Sequence, residues 1–220
     1  MTLSNRLWWR ALLLAVVAVA FSGEPAVAQQ PVLEKDYQLI VPAQPGEGSK
    51  KIEVVEFFYY GCSHCYDVEP ALKKWLSRQP TDVEFRQQPA VFRENWIPLT
   101  KTFYALDAMG LLPKLSEKVY SAVHEERLNL ADEAVLSKWI SQQGVDPVKF
   151  GEVYRSFAVQ NKVQRAMQVT RDYQVKGTPS IAVAGKYITS PSMTGDFEKF
   201  FQVVDQLIEK ARKDAAGKKS

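Results

Sequence analysis

The sequence predicts an α/β fold whose core is interrupted by an inserted all-helical domain. Three observations carry this. A β-branched and aromatic run, Ile52 to Tyr60, ends at Gly61 and passes straight into a helical pattern. Helical periodicity then prevails from about 96 to 172. Strand character returns only near residues 180 to 188, before a last amphipathic helix.

Taken in order, Gln29 to Lys50 is rich in Pro, Gly and Gln and offers one short strand, Tyr37 to Val41. The run Ile52 to Tyr60 is nearly continuous in apolar character, which suits a central strand covered on both faces. From Cys62 the positions Val68, Leu72 and Trp75 fall at helical spacing, and Pro70 inside that helix is expected to kink it. Val83 to Gln88 reads as a further strand. The helical block comprises Pro98 to Met109, Lys114 to Glu126, Ala131 to Gln143, a helix from Asp146-Pro147 to about Phe157, and one from about Val159 to Tyr173. Ser180 to Val183 and Lys186 to Ile188 form a hairpin through Ala184-Gly185. Phe197, Phe200, Phe201, Val204, Leu207, Ile208 and Ala211 line one face of the last helix. The core thus divides as 29–95 and 173–220, with the insertion at 96–172.

Residues 1–28 read as a cleaved export signal: Arg6 and Arg10, then the apolar run Ala11 to Phe21, then Ala26-Val27-Ala28, with the cut before Gln29. The apolar run is too short to span a bilayer, which takes about 20 residues. The signal fits a bacterial periplasmic protein and also admits a eukaryotic secretory route; the mature chain is expected in the periplasm. Its charge is close to neutral: the formal +3 includes +1 from the signal. No basic stripe with interleaved aromatics points to nucleic acid. The cluster Lys210 to Lys219 reads as a solvated, frayed tail.

The chain has two cysteines, three positions apart in Cys62-Ser63-His64-Cys65. A pair so close closes only a small ring and cannot staple distant parts of a fold, so its use is chemical. At a helix start Cys62 meets unpaired N–H groups and the positive end of the helix dipole, worth up to about 2 kcal/mol in partly buried geometry. His64 adds a donor or a positive charge that lowers the Cys62 pKa further. Cys62 is expected to be the exposed nucleophile and Cys65, one turn inside, its buried partner. A structural zinc is not expected: the only other histidine, His124, sits among charges and reads as a surface residue.

Two further residues leave alternatives open. Pro179, in Gly177-Thr178-Pro179-Ser180, is either a turn residue before a strand or a cis proline beside the disulfide, with the Thr178 backbone free to pair with an extended substrate. Glu56 interrupts an apolar strand; it either faces outward or lies beneath the disulfide with a raised pKa, relaying the Cys65 proton.

Glu56-Phe57-Phe58, Cys62-Ser63-His64-Cys65-Tyr66 and Gly177-Thr178-Pro179, with the helical block between them, resemble the DsbA family of periplasmic thiol:disulfide interchange proteins. The resemblance implies a thioredoxin-like fold with an inserted helical domain, a cis Pro179, Glu56 as the buried acid and a substrate groove beside Cys62. It implies no cofactor beyond the Cys62–Cys65 disulfide. The implied partners are folding exported proteins with free thiols and a DsbB-type membrane protein that passes electrons to quinone. A stabilised Cys62 thiolate favours the reduced form, an oxidising poise for which this family is itself the standing example. The supporting residues Ser63 and Thr178 depart from the family's commoner proline and valine; both bear on oxidising strength.

The expected function is a monomeric dithiol oxidase. The alternative in the same superfamily is a reductase or isomerase, but Gln29 to Lys50 is too short for the dimerisation domain of DsbC-type isomerases. A non-enzymatic metal carrier using the Cys pair is a different class, told apart by stoichiometric metal in the purified reduced protein; a thioredoxin-fold chaperone would leave the intact pair unexplained.

Overall fold

The computed structural model describes residues 30–46 and 51–217. The export signal expected over 1–28 lies outside them. Pro31–Ser220 forms one compact unit. Among the described residues no helix is long and apolar enough to cross a membrane.

Among the described residues the five strands are β1 (Gln38–Leu39), β2 (Ile52–Phe58), β3 (Val83–Pro89), β4 (Ser180–Val183) and β5 (Tyr187–Thr189), in sheet order β1-β5-β4-β2-β3. β2 pairs in parallel with β3 and antiparallel with β4, so it lies inside the sheet with both edges bonded. That explains its almost unbroken apolar run: six of its seven residues are buried. Side chains alternate between the two faces. Val54 packs with Leu72 and Trp75 of helix α1 (Ser63–Leu76) and with Phe201 and Val204 of helix α8 (Phe197–Gly217). Val55 and Phe57 face the other way, against Val169 and Tyr173 at the end of helix α6 (Phe157–Asp172). Trp75 Nε1 donates to Asp205 at 2.7 Å and ties α1 to α8.

Between β3 and β4 the chain is helical: a 3-10 turn at Glu94–Trp96, then α2 (Ile97–Ala108), α3 (Leu112–His124), α4 (Glu133–Gln142), α5 (Pro147–Tyr154) and α6. Local chemistry sets the boundaries. Asp132 and Asp146 accept backbone N–H bonds at the starts of α4 and α5. Ser156 caps α6 by accepting from Val159 N at 3.2 Å, so Phe157 opens α6 rather than closing α5. These helices enclose their own apolar core, which takes in Phe58, Tyr60 and Cys65 from the sheet side.

The β4–β5 turn carries positive φ at Ala184 and Gly185. A Cβ on Gly185 would lie 2.0 Å from the Gln44 carbonyl oxygen, so only glycine fits. Two short features had no signal in the pattern: the 3-10 turn, and the single turn α7 (Pro191–Thr194). The tail expected to fray is corrected: α8 continues through Lys210 to Gly217, because Arg212 pairs with Asp82 at 2.7 Å and Tyr187 donates to Asp214.

Candidate active site

Cys62 is the N-cap of α1. Its carbonyl opens the helix, accepting from Cys65 N at 3.1 Å and Tyr66 N at 3.2 Å, and no side chain supplies a cap. The sulfur stands where a capping oxygen would sit, among donors that favour an anion. The entry is tight: a Cβ on Gly61 would lie 2.5 Å from Tyr59 Cε1, so a larger residue there would have to displace the Tyr59 ring. Cys62 is half-buried, Cys65 is fully buried, and both are free thiols in the structure.

The two sulfurs differ sharply. The Cys62 pKa falls from 9.0 to about 5, chiefly through the hydrogen bond from Cys65; partial burial opposes this, and the Thr178 side chain and the backbone N–H groups of Cys65 and His64 add to it. Burial pushes Cys65 well above an ordinary thiol, and the neighbouring Cys62 and Glu56 push it further. At neutral pH the reduced pair therefore holds one thiolate and one thiol, with the charge on the accessible sulfur.

Ser63 and His64 are both exposed at the start of α1. The His64 side chain is 75% exposed, with Nδ1 3.9 Å from Asp67 Oδ2. Its backbone N–H also bonds to the Cys62 sulfur.

The Thr178–Pro179 bond is cis, and the Thr178 carbonyl accepts from Cys62 Sγ at 3.4 Å. A groove of about 950 Å³ opens beside them, with His64, Thr178, Pro179, Met193 and Phe197 in its walls.

Glu56 takes the buried alternative. It lies on the face of β2 that carries Val54 and Phe58, is 1% exposed, and accepts from Gln87 Nε2 at 2.9 Å. Burial raises its carboxyl to about 8, and the nearby Glu69 adds to the rise. Glu69, four residues beyond Cys65 on α1, has a buried Oε1 without a hydrogen-bond partner and is itself raised to about 7 by burial. The pattern contained a signal for it: a carboxylate at i+4 from Cys65 on a helix face that is otherwise apolar. His124 is corrected from a surface residue. It is partly buried, its Nε2 lies 2.7 Å from the Tyr60 carbonyl oxygen, and its ring stacks on Tyr66.

An ionisable thiol at a helix start, a buried second thiol, a buried acid and a cis-proline loop form an apparatus for thiol–disulfide exchange. Known proteins agree. Residues 94–206 match the family model of the DSBA-like thioredoxin domain. The thiol:disulfide interchange protein DsbA of Bordetella parapertussis is 42% identical over 202 residues, covering 91% of this chain and 96% of the relative.

The chain belongs to the DsbA family.

A second DsbA, from Pseudomonas aeruginosa, is 36% identical over 209 residues, covering 94% of this chain and 98% of the relative. A crystal structure of P. aeruginosa DsbA superposes with a TM-score of 0.80 at 35% identity, covering 84% of this chain and 96% of that one. The protein is accordingly a thioredoxin-like thiol:disulfide oxidoreductase, and the two relatives named match it along nearly their whole length.

Proposed function

We propose that this protein is a periplasmic dithiol oxidase that donates the Cys62–Cys65 disulfide to exported proteins as they fold. The observation that carries the reading is the asymmetry of the two thiols, one lowered to about 5 and the other raised. A substrate thiolate attacks Cys62 Sγ of the oxidised pair, and the Cys62–Cys65 bond breaks. Cys65 leaves as a thiolate and takes a proton from the neutral Glu56 carboxyl, directly or through water. The second substrate thiolate then attacks the substrate's own sulfur in the mixed disulfide, and Cys62 departs as its stabilised thiolate. Two electrons pass from substrate to protein; the substrate keeps the new disulfide.

The groove beside Thr178 and Pro179 receives the substrate as an extended segment, and an exposed, polar Ser63–His64 edge lets it approach Cys62. No cofactor takes part beyond the pair itself. A DsbB-type membrane quinone reductase returns the pair to the disulfide, and the protein acts as a monomer.

The assignment of the attacking sulfur is tested by trapping. Cys65→Ala protein incubated with a disulfide-bearing substrate is expected to accumulate a mixed disulfide on Cys62 that gel mobility and peptide mass mapping locate. A mixed disulfide that instead fails to form, with Cys62 present and titrating as a thiolate, would refute it.

A further inference from the structure

Helix α3 grips the active-site motif at both ends, and nothing in the exchange chemistry above uses that grip. Ser116, Tyr120 and His124 follow one another at a spacing of four and so share one face of the helix. Tyr60, two residues before Cys62, meets this face three times. Its hydroxyl lies 2.7 Å from Ser116 Oγ, its ring meets Tyr120 edge-on with centroids 4.9 Å apart, and its carbonyl oxygen lies 2.7 Å from His124 Nε2. Tyr66, directly after Cys65, meets the same helix. Its ring stacks on His124 with centroids 5.1 Å apart and an interplanar angle of 13°, and its hydroxyl donates to Glu125, the C-cap of α3.

His124 is the residue shared by both ends. A carbonyl oxygen only accepts, so His124 Nε2 carries the proton and donates. The acceptor belongs to the peptide between Tyr60 and Gly61. β2 ends at Phe58, so the sheet ladder no longer orients this peptide, and Gly61 is the most permissive residue in the turn that follows. Cys62 N bonds back to Tyr59 O at 2.9 Å across that turn. The orientation of the Tyr60–Gly61 peptide therefore decides where Cys62 stands relative to the first N–H groups of α1.

We propose that His124 is a positioning residue of the redox site: by holding the Tyr60 carbonyl it fixes the Gly61–Cys62 turn and aims the Cys62 sulfur at the start of α1, so that the helical insertion sets the strength of the oxidant. The inference rests on the dithiol-oxidase reading. It gives the inserted domain a share in the chemistry beyond that of a cover over the core.

The test compares two variants of matched bulk. His124→Gln retains an N–H donor within reach of Tyr60; His124→Met fills the same space without one. The readouts are the ultraviolet titration of the Cys62 thiolate in the reduced full chain and its equilibrium constant with glutathione. The expected result is a thiolate midpoint raised by about one unit in His124→Met, a tenfold fall in the ionisation constant of the Cys62 thiol, with a parallel loss of oxidising strength. His124→Gln is expected to titrate within a few tenths of a unit of the parent. Equal midpoints in the parent and in His124→Met, with only the melting temperature lowered, would reduce His124 to packing and overturn the proposal. A His124→Gln midpoint that follows His124→Met would overturn it too, since the hydrogen bond would then not be the cause. A parent protein titrating like an ordinary thiol would instead sink the oxidase reading itself, which keeps the two failures apart.

Discussion

Cys62→Ser protein is expected to transfer no disulfide, its rate of substrate oxidation falling to that of buffer alone. A serine oxygen forms no disulfide. The remaining sulfur cannot substitute, because Cys65 is fully buried and its thiol is held protonated by burial and by its neighbours. The measurement is oxidative refolding of a reduced test protein, followed by its regained activity. Oxidation at the parent rate would refute the assignment. The substitution also reads out the thiolate energetically. The folded Cys62 pKa lies below its value of 9.0 in the free chain, so its stabilisation is complete above pH 9.0 and is lost as the pH falls through about 5. At pH 7, after discounting for a sulfur only half-buried, the reduced Cys62→Ser protein should be less stable by about 1–2 kcal/mol. The deficit should vanish near pH 5 in urea unfolding.

The second large effect has the opposite sign. Glu56→Gln is expected to stabilise the protein at neutral pH while slowing exchange. The folded Glu56 pKa of about 8 lies above the ordinary 4.5, so its contribution is complete below 4.5 and is lost as the pH rises through about 8. At pH 7 the unfolded chain has ionised this carboxyl and the folded one has not, a cost on the order of 3 kcal/mol. Glutamine keeps the shape and can still accept from Gln87, so the cost disappears. Urea midpoints should therefore diverge between parent and variant from pH 5 to pH 8; a constant difference would contradict the buried, neutral acid. The variant offers no acidic proton to Cys65, and single-turnover exchange should slow by about tenfold or more. A stable but slower protein is the pattern of a residue kept for chemistry rather than for folding.

Much of this was legible in the residues themselves. The continuous apolar character of Ile52 to Phe58 marked an inner strand, and the two-residue Ala184-Gly185 turn marked the hairpin. The Cys62–Cys65 spacing at a strand–helix junction located the chemistry. What the pattern could not reach depends on contacts between distant segments. Glu56 faces inward because the sheet register lays that face of β2 beneath α1, and a strand period alone does not say which face is covered. His124 looked solvated because its sequence neighbours are charged, yet α3 ends at that residue and turns its ring onto Tyr66, 58 positions earlier in the chain. The basic stretch after Lys210 resembled a tail because its carboxylate partner Asp82 comes from before β3.

On this reading the Cys62–Cys65 pair is poised to be reduced. The measurement that tests it most directly is the equilibrium of that pair with glutathione redox buffers, followed by thiol trapping or by the change in tryptophan fluorescence. A disulfide that becomes reduced even in mildly oxidising glutathione is the result expected of a thiolate held as Cys62 is held here. A disulfide that persists until the buffer is strongly reducing would contradict the account and make the protein a reductase, with Ser63 and Thr178 the first residues to exchange.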